Sequence, residues 1–202
     1  MTKIVPGENN AWERLACADP EEICRKAEAA FDYNSRIYRV KSFGRVFSVD
    51  VDKKEILSAD KEGEIFLDRL SYFFRLSVLW YLLKATDARP SGKLVKPASM
   101  SGGDIFFRGT HVLPLDAVAK KYAGDREGFI SKGIAMGGKE VEYGDAALEL
   151  YPFPKIPVTL ILWVEDEEWP ARADLLFDST VYLHLPVDIL WSVAMMTALV
   201  FL

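Results

Sequence analysis

Apolar residues fall into two rhythms along this chain, and the strongest signal lies in residues 152–178. Val158, Thr159, Leu160, Ile161, Leu162, Trp163 and Val164 form an almost unbroken run of β-branched, aliphatic and aromatic residues, the composition of a strand covered on both faces. Glu165, Asp166, Glu167, Glu168, Trp169 and Pro170 interrupt it with charge and proline. Ala173, Leu175 and Phe177 then alternate with Arg172, Asp174, Leu176 and Asp178 in the period-two manner of a second strand. The pattern predicts a hairpin whose first strand is central in its sheet.

Elsewhere the same reading gives a mixture of short helices and strands. Trp12, Leu15 and Ala16 suggest a first helix. Asp19-Pro20-Glu21-Glu22 then writes a second start, with Asp19 as N-cap, Pro20 in the first turn and Glu22 folding back as in a capping box. Ile23, Ala27, Ala30 and Phe31 fall on one stripe, so this helix is expected to end near Tyr33 and Asn34. Alternation over residues 37–43 and 46–51 predicts a hairpin turned at Gly44, and residues 53–63 have room for one more short strand. From Ile65 to Leu83, Phe66, Leu70, Phe74, Ser77, Leu79, Tyr81 and Leu82 surround a helix on nearly every side, which predicts a buried central helix. Ile105, Phe106 and Phe107 read as a short strand. Two helices follow, over Ala117, Val118, Ala119 and Tyr122 and over Phe129, Ile130, Ile134 and Met136, the second capped by Asp125 and ended by Gly137-Gly138. Ala146 to Tyr151 is a further strand. Beyond Pro186 a last helix is apolar almost throughout, over about 14 residues; that is too short for a bilayer span, so it reads as a core or dimer-interface helix. The expected architecture is a single α+β domain over residues 1–202, with an N-terminal helical segment (1–34) and a main body (35–202). In it a mostly antiparallel sheet packs against the central helix and the C-terminal helix.

Composition narrows the function classes without choosing one. A chain of 202 residues, 50% hydrophobic and 27% charged, is long enough to bury a large core. Its net charge of -5 gives no general attraction to phosphate backbones or anionic lipid, so neither nucleic acid nor a membrane is an expected partner. Cys17 and Cys24 are separated by seven residues and Pro20, which reads as two reduced structural thiols rather than a redox pair or metal site. The first residues lack the apolar core of a secretory signal, and a cytoplasmic location is expected by default.

One resemblance rests on particular residues. The order Pro-Phe-Pro-Lys-Ile-Pro-Val-Thr-Leu-Ile-Leu-Trp (152–163), Glu-Asp-Glu-Glu-Trp-Pro-Ala-Arg-Ala (165–173), Leu-Leu-Phe-Asp (175–178) and Leu-Pro (185–186), preceded by Gly-Gly-Lys (137–139) and Gly-Asp-Ala-Ala (144–147), resembles a prokaryotic family catalogued as a domain of unknown function and met mostly in anaerobes. The likeness covers the chain from about Tyr38 onward. It implies no activity and carries over no catalytic residue; a cysteine-rich iron–sulfur segment found beside this domain in some members has no counterpart here.

Candidate chemistry concentrates in residues 88–103, the least periodic stretch, rich in Pro, Ser, Gly and Lys and therefore a candidate for a mobile, functional loop. Ser101-Gly102-Gly103-Asp104 resembles part of a diguanylate cyclase loop, but Ile105 stands where that motif needs Glu, which marks a coincidence. Gly102 and Gly103 can still bring backbone amides to an anion, with Lys93, Lys96 and Arg108 supplying charge. Asp178, followed by Ser179 and Thr180, reads either as the cap of a short turn or as a buried carboxylate poised for acid–base work. His111 and His184 are isolated, and the acidic run 165–168 lacks the spacing of a calcium loop, so no metal site or cofactor is expected. The leading expectation is a non-catalytic ligand-binding or accessory domain for a small anion. The alternatives are a small metal- or carboxylate-dependent hydrolase using Asp104, Asp178 and His111, and an interaction module that forms homodimers through its C-terminal helix.

Overall fold

The computed structural model describes residues 7–103 and 112–202. Asp104, the strand expected at residues 105–107, Arg108 and His111 lie outside the described residues.

Two helices come first, α1 (Glu8–Cys17) and α2 (Pro20–Ala27). In α1 the buried stripe is Ala11, Trp12 and Leu15, while Ala16 is exposed. Asp19 caps α2 as its sequence predicts, accepting from the Glu21 amide at 3.0 Å. Glu22 does not complete a capping box; it engages Lys26 one turn on. The helix also ends earlier than its apolar stripe suggests, because Glu28 adopts the left-handed conformation (φ 51°) and Ala30 and Phe31 enter strand β1 (Ala30–Asp32). There Phe31 sits opposite Tyr38 with ring centroids 4.4 Å apart, a cross-strand aromatic contact that a longer helix would forfeit.

The sequence reading expected one sheet, and the chain builds two, both antiparallel. The first holds β1, β2 (Ile37–Ser42), β3 (Arg45–Asp50) and β4 (Glu55–Ser58) in sequence order. Phe43 and Gly44 join β2 to β3 with φ of 46° and 75°, the two left-handed residues of the hairpin turn whose twist matches that of the strands. The second sheet holds β5 (Leu94–Val95), β6 (Lys139–Val141), β7 (Ala146–Phe153), β8 (Ile156–Trp163) and β9 (Arg172–Asp178), side by side in the order β5-β9-β8-β7-β6. The apolar run is therefore the middle strand, and β8 and β9 are the predicted hairpin. The sheets meet where the Phe43 amide donates to the Tyr151 carbonyl at 2.9 Å. Beside that bond, Gly44 and Gly137 touch backbone to backbone: a Cβ on Gly137 would lie 2.7 Å from the Gly44 Cα.

Among the described residues, the remaining α-helices are α3 (Lys61–Lys84), α4 (Leu115–Lys121), α5 (Arg126–Ala135) and α6 (Val187–Leu199). α3 is the expected central helix, broken at Ser71, whose φ of 40° and ψ of −114° leave the helical region. Such a residue costs on the order of 1–3 kcal/mol, and aromatic packing on both sides of the break holds it: Phe66 packs on Phe43 and Phe47, Phe74 on Phe47 and Phe153, and Tyr81 stacks on Phe153 at 4.6 Å. α5 presents Phe129 and Gly133 to the core, Gly133 lying directly on Leu148; Ile134, expected on the buried stripe, is exposed. α6 packs along α3 and buries most of its length, including Leu190, Val193, Ala194 and Met196, in the core of its own chain. No described helix is long and apolar enough to cross a membrane. Cys17 and Cys24 are free thiols. Glu8, 1% exposed, accepts from the Trp12 indole at 3.1 Å and from the Arg75 guanidinium at 3.0 Å, a buried pair that ties α1 to α3 and that no spacing in the sequence announces.

Candidate functional site

The strands of the second sheet alternate between two faces, one packed on helices and one turned outward. On the outward face the pairings place Lys139 beside Glu149, Glu149 beside Thr159, Thr159 beside Leu176, and Asp178 beside Leu94. Two segments rise at the edges of this face. Pro90, Gly92 and Leu94 form one rim, and Val141, Glu142 and Tyr143 form the other. Between them lies a cleft of about 440 Å³, its floor made by Tyr151, Pro157 and Thr159.

The first rim belongs to the stretch read from sequence as a mobile loop. It is clamped at both ends. At its start, the Thr86 amide donates to His184 Nδ1 at 3.1 Å and the Lys155 ammonium donates to the Thr86 carbonyl at 2.9 Å. Further along, Asp178 accepts from the Ser91 amide at 3.1 Å, the Gly92 amide at 2.6 Å, and the amide and hydroxyl of Thr180 at 2.9 and 2.7 Å; the Ser91 hydroxyl lies 3.1 and 3.2 Å from its two oxygens. The Ser179 amide closes the turn on the Lys93 carbonyl at 2.8 Å, and β5 adds itself to the sheet edge. Burial pushes the Asp178 carboxyl up, but these donors, Thr180 first, outweigh it and hold it below the usual carboxylate range. A carboxylate so engaged fixes the rim and has little freedom to move protons.

His184 is 1% exposed. Because its Nδ1 accepts from Thr86, the ring proton belongs on Nε2, which has no hydrogen-bond partner among the described residues. Burial, with the nearby Lys155 ammonium, pushes its pKa down, and Asp178 partly offsets this, so the ring is neutral. The opposite wall is acidic and aromatic. Glu149 accepts from the Tyr151 hydroxyl at 2.5 Å and from Lys139 at 2.8 Å, and burial with this bond raises the Tyr151 hydroxyl to about 12, so it remains a donor. Thr159, 2% exposed, lies on the floor with no hydrogen-bond partner for its hydroxyl among the described residues.

Of the residues singled out from sequence, Asp178 lines the cleft. Lys93 and Lys96 are exposed and do not line it, and the Gly103 amide donates to the Met100 carbonyl at 2.8 Å instead of facing a ligand. Asp104, Arg108 and His111 lie outside the described residues. At the acidic run, Asp166 accepts from the amides of Glu168 and Trp169 and so stabilises its own turn. Among the described residues no group of three or more His, Cys, Asp or Glu is placed to hold a metal ion. Glu142, Tyr143, Glu149, Tyr151 and Thr159 were not singled out as a site. The available signal was Thr159, a hydroxyl inside an otherwise apolar strand, and the alternation of Glu149 and Tyr151 with Leu148 and Leu150.

The family model "Domain of unknown function (DUF3786)" matches residues 19–199. The chain belongs to this family. The match takes in both sheets and every residue named in the cleft, and leaves out α1 entirely. No curated protein and no solved structure matches the chain.

Proposed function

We propose that this member of the family is a non-catalytic ligand-binding or accessory domain whose ligand enters the cleft on the outward face of the second sheet. The observation that carries the reading is Thr159: the residue is almost wholly withdrawn from solvent yet lines the cleft floor, and its hydroxyl, with no protein partner among the described residues, is available to a molecule seated there. A rim clamped at Thr86 and at Ser91-Gly92 supports the same reading, since a preorganised wall lowers the entropy lost on binding. The lining contains Glu142, Glu149 and Asp178 but no Lys or Arg, and Tyr143 and Tyr151 offer ring faces. These features favour a small neutral or cationic molecule with a flat apolar part over the anion suggested by Lys93 and Lys96. The hydrolase reading is less supported, because Asp178 is engaged by backbone amides. The homodimer reading through α6 is less supported too, because that helix buries its apolar residues within the chain.

A thermal-shift screen of small amines, amides and carboxylates tests the proposal. At saturating ligand, amines or amides raise the melting temperature by several degrees through mass action on the folded state, and Thr159→Val removes the response. A screen in which no compound acts, or in which wild type and Thr159→Val respond alike, overturns it.

A further inference from the structure

A separate hollow, unrelated to the cleft, carries charge of the opposite sign. Its apolar floor is Phe66 on α3, Met136 at the end of α5 and Val200 just past α6, with Ile65 at the edge; it encloses about 220 Å³. Arg45, Arg69 and Lys132 stand round it, and Glu62 is the lining acid. Glu62 is already engaged, because Arg45 reaches it at 2.5 Å while also holding Asp60 at 3.2 Å. Arg69 and Lys132 have no ion-pair or hydrogen-bond partner among the described residues. Two cations, Arg69 exposed and Lys132 half-buried, are thus gathered beside an apolar floor with no ion-pair partner of their own among the described residues. Lys132 registers this: burial, then Arg69, Lys121 and Arg45, all push its pKa down.

We propose that this hollow binds a small organic anion, its carboxylate or phosphate held between Arg69 and Lys132 and its apolar body on Phe66 and Met136. The guanidinium presents a planar fork suited to such oxygens, and Lys132 adds a point charge. The floor discriminates against inorganic anions, which have nothing to place on it.

Titration of the full chain with hexanoate, hexanamide and inorganic phosphate, followed by amide chemical-shift changes, tests this. Hexanoate is expected to shift residues of α3 and α5 saturably, and Arg69→Gln or Lys132→Gln to weaken its binding at least tenfold. Hexanamide and phosphate should bind at least tenfold more weakly than hexanoate. Without ligand, Lys132→Gln should melt at or above the wild-type temperature, since it relieves repulsion that nothing else offsets. Equal binding of hexanamide would reduce the hollow to an apolar dent, and equal binding of phosphate would make it an adventitious ion site. Either result overturns the proposal, as does hexanoate binding unchanged in both variants, no hexanoate binding at all, or a Lys132→Gln protein that melts below wild type. Thr159→Val leaves this binding intact, so the cleft and the hollow fail or stand separately.

Discussion

The two faces of the second sheet are made by the same strands and held by different physics. On the helix-covered face Leu148, Leu150, Val158, Leu160, Leu162 and Phe177 are fully buried, and their contribution scales with area, about 25 cal/mol per Å² removed from water. On the outward face the segment 142–145 folds over Ile161, while the other end is left open between two rims. There the structure depends on a few polar clamps: His184 and Lys155 on Thr86, and Asp178 on Ser91 and Gly92. Area is tolerant of pH and indifferent to direction. Clamps are directional, titratable and local, which suits a surface that must keep a fixed opening.

Four changes separate the faces, in falling order of effect. Leu160→Ala, on the covered face, should cost about 2–5 kcal/mol by chemical denaturation, the sum of lost transfer energy and a cavity; a loss under about 1 kcal/mol would mean that this face is loosely packed. Asp178→Ala should cost roughly 1.5–3 kcal/mol, because the Ser91, Gly92 and Thr180 donors lose a charged acceptor together, and amide exchange should quicken in residues 90–94 while β7 and β8 stay protected. Uniform loss of protection would dissolve the distinction between clamp and core.

The third change is pH. The folded His184 pKa lies below its unfolded value, so its stabilisation is complete above about 6.5 and is lost as pH falls from there through the folded value. Stability should decline below pH 6.5 with a slope of at most about 1.4 kcal/mol per pH unit from this group, and His184→Gln should flatten that part of the profile. The Asp178 pKa is also depressed, so its contribution is present above its unfolded value of about 3.9 and disappears in more acid solution, a separate window. An unaltered profile in the Gln variant would remove His184 from the account. The smallest effect belongs to Thr159→Val, which should change stability by less than about 0.5 kcal/mol, since it deletes a hydroxyl that no described residue engages. A loss above about 1 kcal/mol would reveal a structural partner and weaken the binding reading.

What the sequence determined by itself is local and periodic. The β8–β9 hairpin, the middle position of β8, the turn at Gly44, the Asp19 and Asp125 caps and the buried helix α3 all follow from side-chain period, turn chemistry and capping, which act within a few residues. Tertiary structure decided the rest. α2 yields Ala30 and Phe31 to a strand because Tyr38, distant in sequence, offers a better contact than another helical turn. The stretch 88–103, with its prolines and glycines, reads as free in one dimension, yet its residues 91–95 are tied to the sheet edge, because the donors that Asp178 collects come from both sides of its own strand end and Leu94 and Val95 pair with β9. The cleft joins residues 90–94, 141–151, 157–159 and 178, and the basic hollow joins residues 45, 62–69, 132–136 and 200. Neither has a motif, because a site assembled from single residues of several elements imposes no spacing on the chain; strand pairing and helix packing alone bring those residues within reach of one ligand.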